Sequence, residues 1–224
     1  MTSGRKQSIP LTTKNFNDMG TIKKGILGGF SGKVGTVVGA SWKGIAYMRG
    51  QAQSIKNPRT RDQVAQREKL KFTVAFLKRF ASFIALGTWS GRGSNMNAAV
   101  ACNLKNAIGF SDGSVVIDFS KLTLSRGRLA KAMAASCLDD GGDKTIRWEC
   151  AGGGSYDLAV GVAVNTTTNE TYIQKSGDDI RDNAEMILNL PDSWGAAPVA
   201  CYILFQSADL TSVSDSVYAG VIGE

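Results

Sequence analysis

The sequence predicts an α+β fold in which a glycine-rich β-hairpin and two helices lead into an antiparallel β-sandwich. Three observations predict it. Glycine recurs among strand-forming residues over 23–50, apolar residues repeat at helical spacing over 60–108, and short strand-like runs alternate with turn residues from about 114 onward. The expected organisation is a flexible basic arm over 1–22, a hairpin-plus-helix region over 23–110 and a sandwich over 111–224. With 224 residues, 43% of them hydrophobic and 20% charged, the chain has the composition of a folded protein with a sizeable core.

Residues 1–22 carry Gly4, Arg5, Lys6, Pro10 and Lys14 among Ser, Thr and Asn, with no apolar period, which predicts a flexible arm. They hold no apolar core of the kind a secretory leader needs, so no signal peptide is expected. No run reaches the roughly 18–20 apolar residues of a membrane span. The expected location is therefore the cytoplasm or a virion.

In the stretch 23–50, Gly25, Gly28, Gly29, Gly32, Gly35, Gly39, Gly44 and Gly50 punctuate Val34, Val37, Val38, Trp42, Ile45 and Tyr47. This pattern predicts a hairpin with strands near 33–39 and 42–49, its glycines marking bulges or close backbone approach. A phosphate loop is excluded. The Gly32-Lys33 pair has Leu27 and Val34 where that motif needs Gly and Ser or Thr.

Beyond Asn57-Pro58, Thr60 stands three residues before Gln63, a capping signature that starts a helix running to about Leu86, with Gly87 to close it. Leu70, Val74, Leu77, Ala81 and Ile84 share one face. Phe72, Phe76, Phe80 and Phe83 share a second, turned well away at about 100° per residue. One stripe suffices for a surface helix, so the second predicts either a further layer of the fold or a neighbouring subunit. The phenylalanines are the candidate subunit interface. A shorter helix is expected over 95–108, from Ser94 or Asn95 to Gly109.

Strand candidates follow at 114–119, 121–125, 145–150, 156–164, 170–175, 184–190, 199–206 and 214–222, separated by Ser, Gly, Asp and Pro turns. Seven or eight short strands at this spacing predict an immunoglobulin- or fibronectin-like sandwich, with Trp148 alternating with Ile146 as a core anchor.

Charge is distributed unevenly. Residues 1–80 contain sixteen Lys or Arg against three acids, net +13, and residues 81–224 contain ten against sixteen, net −6. Such asymmetry predicts an anion-facing segment and a mildly acidic body. The candidate contacts to nucleic acid or another acidic partner are Arg5, Lys6, Lys14, Lys23, Lys24, Lys33, Lys43 and Arg49. Trp42 and Tyr47 lie among the last three, as stacking residues interleaved with cations would; the alternative is that both aromatics are core residues. The acidic body of a second copy could also receive the basic segment.

The residue inventory argues against catalysis. There is no histidine, which removes the commonest general base and metal ligand. Cys102, Cys137, Cys150 and Cys201 are far apart with no paired ligand spacing, so buried reduced thiols are expected in place of zinc. No catalytic residue, metal or cofactor is expected.

The blocks GILGGFSGKVGTVVGASWKGIAYMRG, KNPRTRDQVAQREK, MNAAVACNLKNAI, DFSKLTLSRG and the later SDSVYAGVI, in this order, resemble a family of uncharacterised Bacteroidetes proteins that form a domain of unknown function. The resemblance spans about 23–222. It implies a fold of this pattern and no activity, and it carries over no functional residue. The functions weighed are a structural virion or assembly subunit that self-associates, a cellular nucleic-acid-binding protein, a carbohydrate- or protein-binding sandwich module, and, last, an enzyme.

Overall fold

A computed structural model describes residues 20–22, 28–52, 54, 58–91, 93–140, 143–150 and 152–223. The chain divides into two compact units, residues 1–58 and 59–224. The boundary differs from the expected one near 110, because the helices share their core with the later strands.

The first unit is a four-stranded antiparallel sheet, not a lone hairpin. Its strands β1 (Thr21–Ile22), β2 (Phe30–Val34), β3 (Val37–Trp42) and β4 (Ile45–Gly50) lie in sequence order. The expected strands were out of phase with these. The chain turns at Gly35-Thr36 and at Lys43-Gly44, where Lys43 (φ 49°) and Gly44 (φ 85°) give a tight two-residue hairpin its paired positive φ. Gly39 is the one buried residue among those described here. A methyl group on it would collide with the Phe30 backbone and ring, so the Phe30 ring lies directly over the sheet at that point.

The second unit begins with α1 (Arg61–Leu77). Thr60 caps it, its hydroxyl accepting from the Gln63 N–H at 3.3 Å. The helix does not run straight to Leu86. A 3-10 turn at Lys78–Phe80 separates it from α2 (Ala81–Leu86). Gly87 has an extended φ and gives no left-handed cap. Its small size matters instead, since a Cβ would stand 2.5 Å from the Arg126 carbonyl oxygen. Ser94 caps α3 (Asn95–Asn106) through the Asn97 N–H. The Asn95 amide donates to the Ala85 and Gly87 carbonyls, tying the end of α2 to the start of α3.

A small hairpin follows, β5 (Ile108–Ser111) and β6 (Ser114–Ile117), turned by Asp112-Gly113. The expected strand 121–125 is not one. Residues 119–121 form a 3-10 turn, and the next segment is held by side chains. The buried Asn103 donates to the Thr123 carbonyl at 2.8 Å and accepts from its N–H at 2.8 Å, while the Ser216 hydroxyl accepts from the Leu124 N–H.

Two antiparallel sheets complete the unit. One is ordered β10 (Thr171–Ile180), β9 (Leu158–Asn165), β12 (Val199–Gln206), β13 (Val217–Ile222). The other is ordered β11 (Glu185–Leu188), β8 (Asp143–Glu149), β7 (Met133–Asp140). Alternate residues of β9 and β12 divide between two cores. Val160, Val162, Val164, Ala200, Tyr202 and Leu204 pack with the helices, whereas Ala159, Ala163, Cys201, Ile203 and Phe205 pack with Ile146, Trp148, Met186 and Leu188 of the second sheet. The unit is thus a helical layer, a four-stranded sheet and a three-stranded sheet. The helical layer is what a simple two-sheet expectation lacked. β12 is buried at every position because both of its faces are covered.

The phenylalanine stripe is the main correction. Phe76, Phe80 and Phe83 are buried in the chain's own core and Phe72 is half-buried against it, so these rings are not open for a neighbouring subunit. Leu77 and Ile84 from the other expected stripe are buried beside them, while Leu70 is 45% exposed. The 3-10 turn shifts the helical phase and merges the lower halves of both stripes into one buried face.

Candidate functional site

In the first unit, residues alternate between the two faces of the sheet. Register places Lys33 opposite Val38 and Val38 opposite Arg49, then Ala40 opposite Tyr47, then Trp42 opposite Ile45. All of these share one face. Residues directly opposite on antiparallel strands stand about 5 Å apart, so each row forms a contiguous strip. Three of the expected contacts, Lys33, Lys43 and Arg49, are therefore brought together with Trp42 and Tyr47. Lys33 and Arg49 border one end, and the two aromatic side chains follow. At the other end the Lys43 ammonium lies 5.8 Å from the centre of the Trp42 ring.

Trp42, Lys43, Tyr47 and Arg49 are exposed, and Lys33 is half-buried. Trp42 is 67% exposed, Ile45 71% and Tyr47 44%. The alternative that both aromatics are core residues is thereby corrected: the sheet has too few layers to cover them. In the sequence, no Asp or Glu occurs between Asp18 and Asp62. The face combines flat π surfaces with positive charge, a chemistry that stacks bases and neutralises phosphates. Arg5, Lys6, Lys14, Lys23 and Lys24 lie outside the described residues.

The opposite face of the same sheet is apolar. Ile22, Phe30, Val34, Val37 and Met48, with Gly20, line an open cup of about 330 Å³. It holds no polar side chain that could orient a small ligand.

Sequence reasoning missed one constellation in the second unit. Arg181 and Asp157 form an ion pair, 2% and 7% exposed, with guanidinium nitrogens 3.2 and 3.0 Å from one carboxylate oxygen. The guanidinium also donates to the Ala130 carbonyl and lies 3.7 Å from the centre of the Phe205 ring. The Trp148 indole N–H donates to the Arg181 carbonyl at 2.9 Å. The guanidinium is thus paired, bonded and stacked at once, while the Trp148 N–H links the Arg181 backbone to the second sheet. The two residues are 24 positions apart, and nothing in their local pattern pairs them.

The thiols are free, and they are not uniformly buried as expected. Cys201 is buried, Cys102 and Cys137 are half-buried and Cys150 is exposed. The Cys137 thiol hydrogen-bonds with Cys201, which pushes the Cys201 thiol up, together with burial, and draws Cys137 down. Among the described residues, no three Cys, Asp or Glu side chains cluster to hold a metal ion. No helix among them is long and apolar enough to cross a membrane.

A family model described as a family of unknown function (DUF6266) matches residues 29–220, and the chain belongs to that family. No curated protein and no solved structure matches the chain.

Proposed function

We propose that this member of the DUF6266 family is a non-enzymatic structural and assembly protein, a coat subunit of a virion. Its N-terminal sheet contacts nucleic acid, and its helical and β-rich unit builds the assembly as a homo-oligomer. The observation that carries the reading is the shared face of Trp42, Tyr47, Lys33 and Arg49, with Lys43 over Trp42. A four-stranded sheet bearing exposed aromatics is the platform on which single-stranded nucleic acid stacks two or three bases. The cations supply affinity without reading sequence, which suits packaged nucleic acid.

The second unit supports the structural half of the reading. Its sheets face each other across a shared core, and we read that pair as an immunoglobulin-like sandwich in layout.

Binding of the full chain to a labelled single-stranded oligonucleotide tests the proposal. With about three phosphate contacts, affinity falls with a log–log salt slope of roughly −2. Lys43→Glu with Arg49→Glu abolishes binding, and Trp42 fluorescence is quenched on saturation in the parent. Binding that ignores both salt and these substitutions overturns the nucleic-acid half. Negative-stain microscopy of protein mixed with nucleic acid shows particles, rings or filaments; a persistent monomer sinks the assembly half.

A further inference from the structure

Strand β4 ends the described sheet. Among the described strands only β3 pairs with it, and all six of its residues are exposed. Alternate N–H and C=O groups along such an edge point away from the sheet and can accept another strand. Proteins protect long edges with Pro, Lys, bulges or brevity. β4, Ile45-Ala-Tyr-Met-Arg-Gly50, has no Pro and no Lys, and its register with β3 runs without a shift. At the other edge of the same sheet, the described part of β1 is two residues long.

We propose that β4 pairs antiparallel with β4 of a second copy of this chain, joining two four-stranded sheets into one of eight strands. Three features select a second copy over an unrelated strand. First, crossing near Tyr47 sets Arg49, the one charge on β4, opposite the apolar Ile45 of the other copy, so no like charges meet. Second, a closed two-fold contact pairs the six residues of β4 with their own equivalents, whereas head-to-tail pairing would set them against the two described residues of β1. Third, edge-to-edge antiparallel pairing requires a two-fold axis perpendicular to the sheet. The faces carrying Trp42, Tyr47, Lys33 and Arg49 then lie on the same side in both copies and form one continuous basic, aromatic surface. The inference rests on the assembly reading above in taking a second copy as the partner, and it names the surface through which the copies meet.

Sedimentation velocity of the full chain over a dilution series, with hydrogen exchange at each concentration, tests it. The expected result is a monomer–dimer equilibrium in which the outward-pointing half of amides 45–50, those not bonded to β3, becomes protected as the dimer forms. Met48→Lys, on the face away from Trp42, weakens the dimer about tenfold or more. Three results overturn the inference. They are a monomer with the outward-pointing β4 amides unprotected throughout, those same amides protected equally at every dilution, and self-association unchanged by Met48→Lys. Oligonucleotide binding is measured on the same samples. Binding without a dimer removes only the edge pairing, and a dimer without binding removes only the nucleic-acid reading.

Discussion

Strands β12 and β4 both belong to four-stranded antiparallel sheets and both are rich in strand-forming residues. β12 is buried at all eight positions and β4 is exposed at all six. The difference comes from layers, not propensity. β12 has helices on one face and a second sheet on the other. Among the described residues of the first unit there is a single sheet, and Trp42, Ile45 and Met48 are more than half exposed. Apolar surface inside a layered unit stabilises that unit; apolar surface on a single layer is available to a partner. Under the proposed function, stability and recognition are therefore carried by different parts of the chain.

The largest test of that separation is Arg181→Ala. It leaves Asp157 charged and buried without its partner, which costs about 3–5 kcal/mol in urea unfolding, while oligonucleotide affinity at temperatures where the protein is folded is unchanged. The converse substitution, Trp42→Ala, lowers oligonucleotide binding by about 1–3 kcal/mol and leaves the unfolding midpoint of the second unit in place. If either change moves both readouts, the two units are not separable in this way.

Tyr202→Phe probes the core beneath the helices. The phenol donates to the Phe119 carbonyl at 2.6 Å, and losing that bond costs about 1 kcal/mol at neutral pH. Burial pushes the Tyr202 phenol above its ordinary value of 10.0. As pH rises past about 10 the unfolded chain releases this proton before the folded one does, so its contribution is whole below pH 10 and declines above it. Tyr202→Phe removes that part of the alkaline slope, seen as a smaller loss of unfolding free energy between neutral pH and pH of about 11. The smallest effect is Thr60→Ala, which removes the α1 cap for about 0.5–1 kcal/mol, read as a small drop in melting temperature.

Much of the fold was legible where one local signal dominated. The run Val199–Gln206 forms β12 with the expected bounds, because an unbroken series of apolar and aromatic residues bounded by Pro198 and Ser207 admits little else. The caps at Thr60 and Ser94 were legible for the same reason. β7 was not: Met-Ala-Ala-Ser-Cys-Leu-Asp-Asp has no β-branched or aromatic residue, and its state is set by pairing with β8. Residues 122–125 erred the other way. They alternate like a strand, yet Asn103 and Ser216 satisfy their backbone in place of a ladder.

The candidate site was half legible. Its cations and aromatics stand out in composition, but their shared face depends on register. With the turn expected near 40–41, no row joins Lys33, Val38 and Arg49. The turn at Lys43-Gly44 creates that row, and positive φ at a lysine is a poor local signal. The phenylalanines misled because their spacing assumed one continuous helix through residues 78–80.

The burial of β12 on both faces also sets a timetable. Phe76, Leu77 and Phe80 share one core with residues of a strand that follows them by more than a hundred residues in the chain. At roughly 5–20 residues per second, a growing chain carries those rings without their final partner for several seconds or more. Closing contacts over such distances is also slow in a complete chain. Helix α1 is thus the segment a chaperone would meet during synthesis, and the arrival of residues 199–206 is the step that hides it.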